Sequence, residues 1–369
     1  MKEAAYYEKL DNGSVRCRLC PHRCFLQPGR TGLCRARRNI DGTLYSLNYG
    51  YMTSLALDPI EKKPLYHFHP GKIILSAGTF GCNFKCSWCQ NWTIAHGDEQ
   101  AGQGGETDAS GRTAGTPGEK ADVSGRTADA PGPNADASGR TADFPGQQTD
   151  VPDRKAGQEW DRGNGRLTGS EGEPSFVWNY EGIRLVEAPP EKLAGLAEQY
   201  VRYGNIGVAY TYNEPTIWYE YVLDTAKLVK ENGLANVLVT NGFISEEPLE
   251  ELLPYIDAMN IDVKAFTGEF CKKYCKGGLD DVKRTVERAA RNCHVEVTTL
   301  VIPGLNDSPE EIDELARWLS AIDRDIVLHL TRFFPNYRMR SIGPTPLGTL
   351  EKAKKTALRH LNHVYLGNV

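Results

Sequence analysis

Six short runs rich in β-branched residues, 72–77, 206–211, 236–240, 258–264, 295–302 and 325–331, recur along the chain with helical spacing between them. Leu193, Leu196, Ala197, Tyr200 and Val201 share one helical face, as do Trp218, Tyr221, Val222 and Leu228. Asp307-Ser308-Pro309 opens a further helix carrying Ile312, Leu315 and Leu319. Parallel strands need a crossover of a dozen or more residues, so repeated strand–helix–strand order means parallel pairing. Near-continuous apolar strands of this kind are covered by helices. The pattern predicts an α/β protein, either a Rossmann-like sheet or a full or partial barrel of βα units, with functional residues just past the strand ends.

Residues 97–174 break the pattern. They contain five large apolar residues (Val123, Phe144, Val151, Trp160 and Leu167) and 16 of the 37 glycines. SGRTA recurs at Ser110, Ser124 and Ser138, too polar to bury a seam between repeats. The segment reads as a disordered, low-complexity insert. It holds 15 acidic and 8 basic residues, leaving 33 acidic and 35 basic elsewhere, so the net charge of -5 comes from the insert. No basic field for nucleic acid is implied. There is no uninterrupted apolar run of about 18 residues and no apolar leader after Met1, which points to a cytoplasmic protein without a membrane span. Ten cysteines in that setting suggest metal or redox chemistry over disulfides.

Directly after the first run comes GTFGCNFKCSWCQN, with Cys82, Cys86 and Cys89 spaced C-x3-C-x2-C. A structural zinc site closes with four ligands, whereas three thiolates in one loop can hold three irons of a four-iron cluster and leave the last open to a substrate. Gly78 and Gly81 permit a tight backbone here, and Trp88 offers a ring for stacking. A cysteine-rich turn with a zinc completed from elsewhere is the plainer alternative.

The motif of Cys82, Cys86, Trp88 and Cys89 resembles that of the radical S-adenosylmethionine (radical SAM) superfamily. The resemblance implies a partial (β/α)6 TIM-like barrel and a [4Fe-4S] cluster on the three cysteines. The amino and carboxylate groups of SAM would chelate the open iron, and one electron would release a 5'-deoxyadenosyl radical for hydrogen abstraction. It also implies SAM contacts at later strand ends. Glu214, and Asn213 beside it, stand where the superfamily has a GGE-type motif, though the paired glycines are missing; a helix cap at Asn213-Glu214-Pro215 explains the same letters. Thr240 and Asn241 suit a ribose, and Asp262 with Lys264 suits the SAM carboxylate, the alternative for Lys264 being an ordinary ion pair. VIPGLND (301–307) is similar to a turn near adenine. His329 and Arg332 are candidates for gripping a substrate, or members of a buried hydrogen-bond network.

A second group, Cys17, Cys20, Cys24 and Cys34, has enough thiolates to close a site, either zinc or a second cluster, with His22, His67 or His69 as substitute ligands. Cys271, Cys275 and Cys293 read as ordinary thiols. The expected organisation is a cysteine-rich metal-binding module (1–70), the first strand and cluster loop (71–96), the insert (97–174) and the remaining barrel (175–369). DPIEKKPLYHFHPG (58–71), CRLCPHRC, CQN and AYTYNEPTIWYEY resemble the AmmeMemoRadiSam system radical SAM enzymes, related to pyruvate-formate-lyase-activating enzymes. That subgroup implies a low-potential electron donor such as flavodoxin or ferredoxin, and AMMECR1-like and Memo-like proteins as partners. The substrate stays open. The rival class is an iron-sulfur electron-transfer protein, which has no use for polar groups at strand ends such as Glu214, Asn241 and Lys264.

Overall fold

The computed structural model describes residues 1–97 and 182–369, together with strand segments 158–161, 166–169 and 177–180. Eight strands form the main sheet: β1 (Ser54–Pro59), β2 (Ile73–Gly78), β3 (Asn205–Tyr210), β4 (Ala235–Thr240), β5 (Ala258–Asp262), β6 (His294–Val301), β7 (Val327–Arg332) and β8 (Val364–Gly367). They lie side by side in chain order. All neighbours are parallel except β1, which runs antiparallel to β2. The six expected strands are β2 to β7. The two rims, β1 and β8, go beyond that expectation: β1 is only half-buried and lies within residues 1–70, and β8 has four residues.

Helices α1 (Pro190–Gln199), α2 (Tyr219–Glu231), α3 (Glu246–Leu252), α4 (Leu279–Ala289), α5 (Pro309–Ile322) and α6 (Leu347–Ala357) fall in the crossovers. The α5 start follows the sequence reading: Ser308 caps it, its side chain accepting from the Glu311 amide. Strand alternation sorts the core into two sides. Leu75, Val208, Leu238 and Met259 belong to the large core that includes α1, α2, α4 and α5. Ile74, Ala209, Val237 and Ala258 pack instead with Ile60 and Leu65 from the segment between β1 and β2. This is an α/β protein with the parallel sheet of a partial barrel.

The N-terminal residues form two small antiparallel sheets, one pairing Lys2–Glu3, Thr43–Ser46 and Arg37–Ile40, the other Tyr7–Lys9, Val15–Cys17 and Phe25–Leu26. They dock on the start of α2. Tyr6 meets Tyr219 edge-on at 5.3 Å, Ile217 packs with Cys34 and Ala36, and the Trp218 indole donates to the Asn48 carbonyl at 2.7 Å. Arg37 makes a buried, bidentate pair with Glu220 at 3.0 and 2.7 Å. Such a pair adds little net stability, but removing one partner costs about 3–5 kcal/mol.

Within 97–174, the backbones of Gln158–Asp161 and Arg166–Gly169 pair antiparallel, which composition alone did not suggest. Asn164-Gly165 lies between them and is a hairpin turn signal in the sequence. The three repeats and the rest of the insert lie outside the described residues. A second hairpin, Val177–Tyr180 with Ile183–Glu187, adds Tyr51–Met52 as a third strand.

Candidate active site

The loop carrying Cys82, Cys86 and Cys89 leaves the C-terminal end of β2 and is tied down from three sides. Asn213, just past β3, accepts from the Thr79 amide (3.0 Å) and donates to the Gly81 carbonyl (2.9 Å). Asn83 donates to the Phe243 carbonyl and accepts from the Asn241 amide group, both at 2.8 Å. From the 271–275 segment, Cys275 and Tyr274 carbonyls accept the Lys85 and Ser87 amides. Two glycines are required by close approach. A Cβ on Gly78 would stand 2.7 Å from the Thr211 carbonyl oxygen, and one on Gly81, where φ is +91°, would stand 2.4 Å from that of Cys34.

The three thiols share one electrostatic neighbourhood. Burial, then Glu214 and the other two cysteines, push the Cys82 thiol well above its ordinary range; burial and Cys86 push Cys89 up to about 12. Cys86 moves down, first because the Cys275 thiol bonds to it, and then through Lys264 against the opposing effect of burial. The Phe84 amide (3.4 Å) and the Asn241 side chain (3.8 Å) both approach the Cys82 sulfur. All three thiols are free. Among the described residues, no three His, Cys, Asp or Glu side chains already stand in metal-holding geometry, so ligation requires the sulfurs to turn toward a common point. The donor set itself, three free thiols in mutual electrostatic contact on one pinned loop, fits a cluster with three protein ligands.

Glu214 is 2 % exposed and sits beneath this loop. One carboxylate oxygen accepts from the Thr216 amide (3.0 Å) and the Thr240 hydroxyl (2.7 Å), the other from the Asn241 amide (2.7 Å). It therefore caps the short helix Pro215–Trp218, in line with the plainer sequence reading, and also bridges to β4. These donors are neutral, and burial outweighs them to raise its pKa. Two oxygens carry four acceptor sites, so capacity for one further donor remains. Thr240 and Asn241, expected as ribose ligands, are engaged within the protein: the Thr240 hydroxyl serves Glu214, and the Asn241 side chain serves Asn83, Cys82 and the Phe243 amide. At the end of β5, Asp262 and Lys264 pair at 2.7 Å. Burial alone would lower the lysine's pKa, but Asp262 and Cys86 hold it protonated above its usual range. Asn306, in the turn after β6, donates to the Lys264 carbonyl at 2.9 Å.

Trp88, expected to offer a ring for stacking, packs its buried ring on Phe270 at 5.5 Å. Other expectations are corrected. His329 and Arg332 do not converge, because residues three apart on a strand point to opposite faces. Arg332 donates to the Thr345 carbonyl and lies over Phe334. His329 is buried near the other end of the sheet, bonded to Glu296 at 2.6 Å, in the network that was its alternative reading. Glu296 also accepts from His294 (3.0 Å) and from the amides of Tyr66 (3.0 Å) and His67 (2.7 Å). His67 lies there too, bonded to Tyr365 and against His363, and His69 shares its loop, so neither is a substitute ligand for the N-terminal cysteines. His22 does lie beside them, with its Nε2 on the Asn83 carbonyl at 2.8 Å. Cys275 is the site residue missed: it is fully buried against Cys86, and its four-residue spacing from Cys271 gave no hint of a partner 189 positions away.

A model of the radical SAM superfamily matches residues 172–319, beginning after the cysteine loop. An uncharacterized protein of Methanocaldococcus jannaschii is 35% identical over 372 residues, covering 100% of this chain and 86% of that protein. A pyruvate formate-lyase-activating enzyme of Clostridium pasteurianum is 29% identical over 151 residues, 40% of this chain and 62% of that one. Among solved structures, a domain of pyruvate-formate lyase-activating enzyme from Bacteroides vulgatus aligns at 16% identity with a TM-score of 0.40, covering 44% of this chain and 99% of that one. No helix among the described residues is long and apolar enough to cross a membrane.

Proposed function

The chain belongs to the radical SAM superfamily and is related to the glycyl-radical-activating enzymes, and from that premise we propose that Cys82, Cys86 and Cys89 hold its [4Fe-4S] cluster. When bound, the cluster and SAM supply one-electron cleavage of the sulfonium to methionine and a 5'-deoxyadenosyl radical, which abstracts a hydrogen atom from a substrate not yet identified. The observation that carries the assignment is the gathering of three free thiols, buried Glu214 and Lys264 at neighbouring strand ends.

Glu214 supplies the acceptor for the ammonium group of SAM. A cation there offsets the desolvation that a buried carboxylate suffers among neutral donors. Lys264, paired with Asp262 at 2.7 Å, attracts the SAM carboxylate. Thr240 and Asn241 act through Glu214 and Cys82, and are positioning residues. Asn213 and Asn83 keep the loop in place while the sulfurs are loaded. Trp88, which faces Phe270, stiffens the loop from behind. A flavodoxin- or ferredoxin-type protein delivers the electron, and the AmmeMemoRadiSam resemblance proposes AMMECR1-like or Memo-like proteins as partners. An electron carrier would need Glu214 only as a helix cap and Lys264 only as the partner of Asp262.

The test is anaerobic reconstitution with iron and sulfide, followed by dithionite and SAM, with 5'-deoxyadenosine measured by chromatography. Formation of that nucleoside is expected. A fully loaded cluster that neither binds SAM nor yields the product sinks the reading.

A further inference from the structure

The N-terminal cysteines are built into two tight turns facing each other. In the first, the Cys17 amide donates to the Cys24 carbonyl (3.0 Å) and the Arg23 amide to that of Cys20 (3.1 Å), with Arg23 in the left-handed region at φ +46°. In the second, the Gly32 amide donates to the Arg37 carbonyl (2.8 Å) and the Arg35 amide to that of Gly32 (2.9 Å), with Arg35 at φ +67°. As at the cysteine loop, the sulfurs do not yet stand in metal-holding geometry among the described residues, so ligation requires them to turn toward a common point. Between the turns, the position a Cβ on Gly32 would take lies 3.9 Å from the sulfurs of both Cys24 and Cys34. Cys17, Cys20, Cys24 and Cys34, all free, line a single small cavity of about 10 Å³ together with Leu19, Leu26 and Arg37. That is room for about one atom-sized sphere.

Arg37 adds a second, independent observation. Its guanidinium is 1 % exposed, and both terminal nitrogens are taken by Glu220, yet its buried Nε–H has no partner. An orphaned cationic donor at the wall of a four-thiol cavity is costly unless an anion completes it. Four thiolates around one divalent ion carry two excess negative charges, and the Arg37–Glu220 pair is itself neutral. A hydrogen bond from Nε–H to a ligand sulfur therefore satisfies the donor and stabilises the thiolates.

We propose that Cys17, Cys20, Cys24 and Cys34 bind one zinc ion as a closed tetrathiolate, with Arg37 donating from Nε to a ligand sulfur as a positioning residue. The closed ligand set makes the site structural, a pin for a module too small to hold itself by its own core. Each cysteine loses its proton to solvent on binding, and no redox step is involved.

The experiment uses the full chain with Cys82, Cys86 and Cys89 all changed to Ala, so that iron in the barrel does not interfere, alongside the unaltered chain. Metal content is counted after anaerobic purification from medium supplied with both zinc and iron. One zinc per chain, released when thiols are titrated with a mercurial and absent from Cys20→Ser, is the expected result. Four irons with sulfide, one iron in place of zinc, or no metal overturns it. Arg37→Lys keeps a cation for Glu220 but has no second directed donor, and its zinc affinity is expected to fall by about 10–100-fold. Unchanged affinity in folded Arg37→Lys protein, checked by circular dichroism, overturns the role given to Nε. Both readouts are independent of SAM cleavage, so this inference and the radical SAM site assignment fail separately.

Discussion

Glu214 and Glu296 are both buried carboxylates of the same sheet, and their surroundings push them in opposite directions. Glu296, near the strand starts, accepts from two imidazoles and two amides. Burial alone would raise its pKa, but the bonds from His294 and His329, with the two amides, hold it down to about 2. Glu214, at the strand ends, has three bonds of comparable length from neutral groups, and its pKa stays raised. Glu296 thus takes four hydrogen bonds, two of them from imidazoles, against three for Glu214, and only the larger set overcomes burial. The bonds of Glu296 are complete within the fold, whereas Glu214 keeps room for one more donor, which the proposed function fills with the ammonium group of SAM.

If the strand ends are the chemical side, changes there remove activity while leaving the fold. The largest effect is expected from replacing Cys82, Cys86 or Cys89 with Ala: complete loss of SAM cleavage and of absorbance near ~400 nm from thiolate-bound iron, with an unchanged far-ultraviolet dichroism spectrum. Activity surviving any of these would break the comparison at its chemical side.

At the other end the loss should fall on stability. The depressed Glu296 pKa contributes on the order of 3 kcal/mol; this is fully present above the unfolded value near 4.5 and is lost as pH falls toward about 2. Glu296→Gln is expected to lose roughly that amount at pH 7 and to flatten the acid side of the stability curve, measured by urea melts between pH 3 and 7. SAM affinity of the folded variant should not change.

Glu214→Gln sharpens the contrast. SAM affinity of the reconstituted protein is expected to drop by about 10–100-fold, the range for losing a charge-assisted hydrogen bond. Because the Glu214 pKa is raised and the ammonium of SAM favours the ionised form, wild-type affinity should weaken as pH falls toward that pKa, and the Gln variant should be nearly flat. Equilibrium dialysis across pH reads both. The smallest effect, none within error in SAM cleavage, is expected on deleting residues 100–157, which carry the SGRTA repeats.

Periodicity made the six central strands and their helices legible, because parallel strands covered on both faces write their burial directly into local composition. The rims were not, since β1 has no fully buried residue and β8 has only four residues, one of them buried. The cysteine loop stands out by its spacing, while Glu214 and Lys264 were expected only through the radical SAM resemblance. What sequence could not distinguish was which polar groups were already engaged. His329 and Thr240 look equally available as letters; the first is spent on Glu296 and the second on Glu214. Cys275 was invisible for the same reason, as its contact with Cys86 exists only after the 268–275 segment folds over the loop.

The docking of the N-terminal sheets on α2 makes them inseparable from the barrel in practice. A truncated protein beginning at β1 would bare Ile217, Trp218 and Tyr219 together, at present covered by Cys34, Ala36, Asn48 and Tyr6. Such a contiguous aromatic surface invites self-association. A minimal catalytic unit cut at that point should therefore sediment as aggregates, whatever its cysteine loop can still bind.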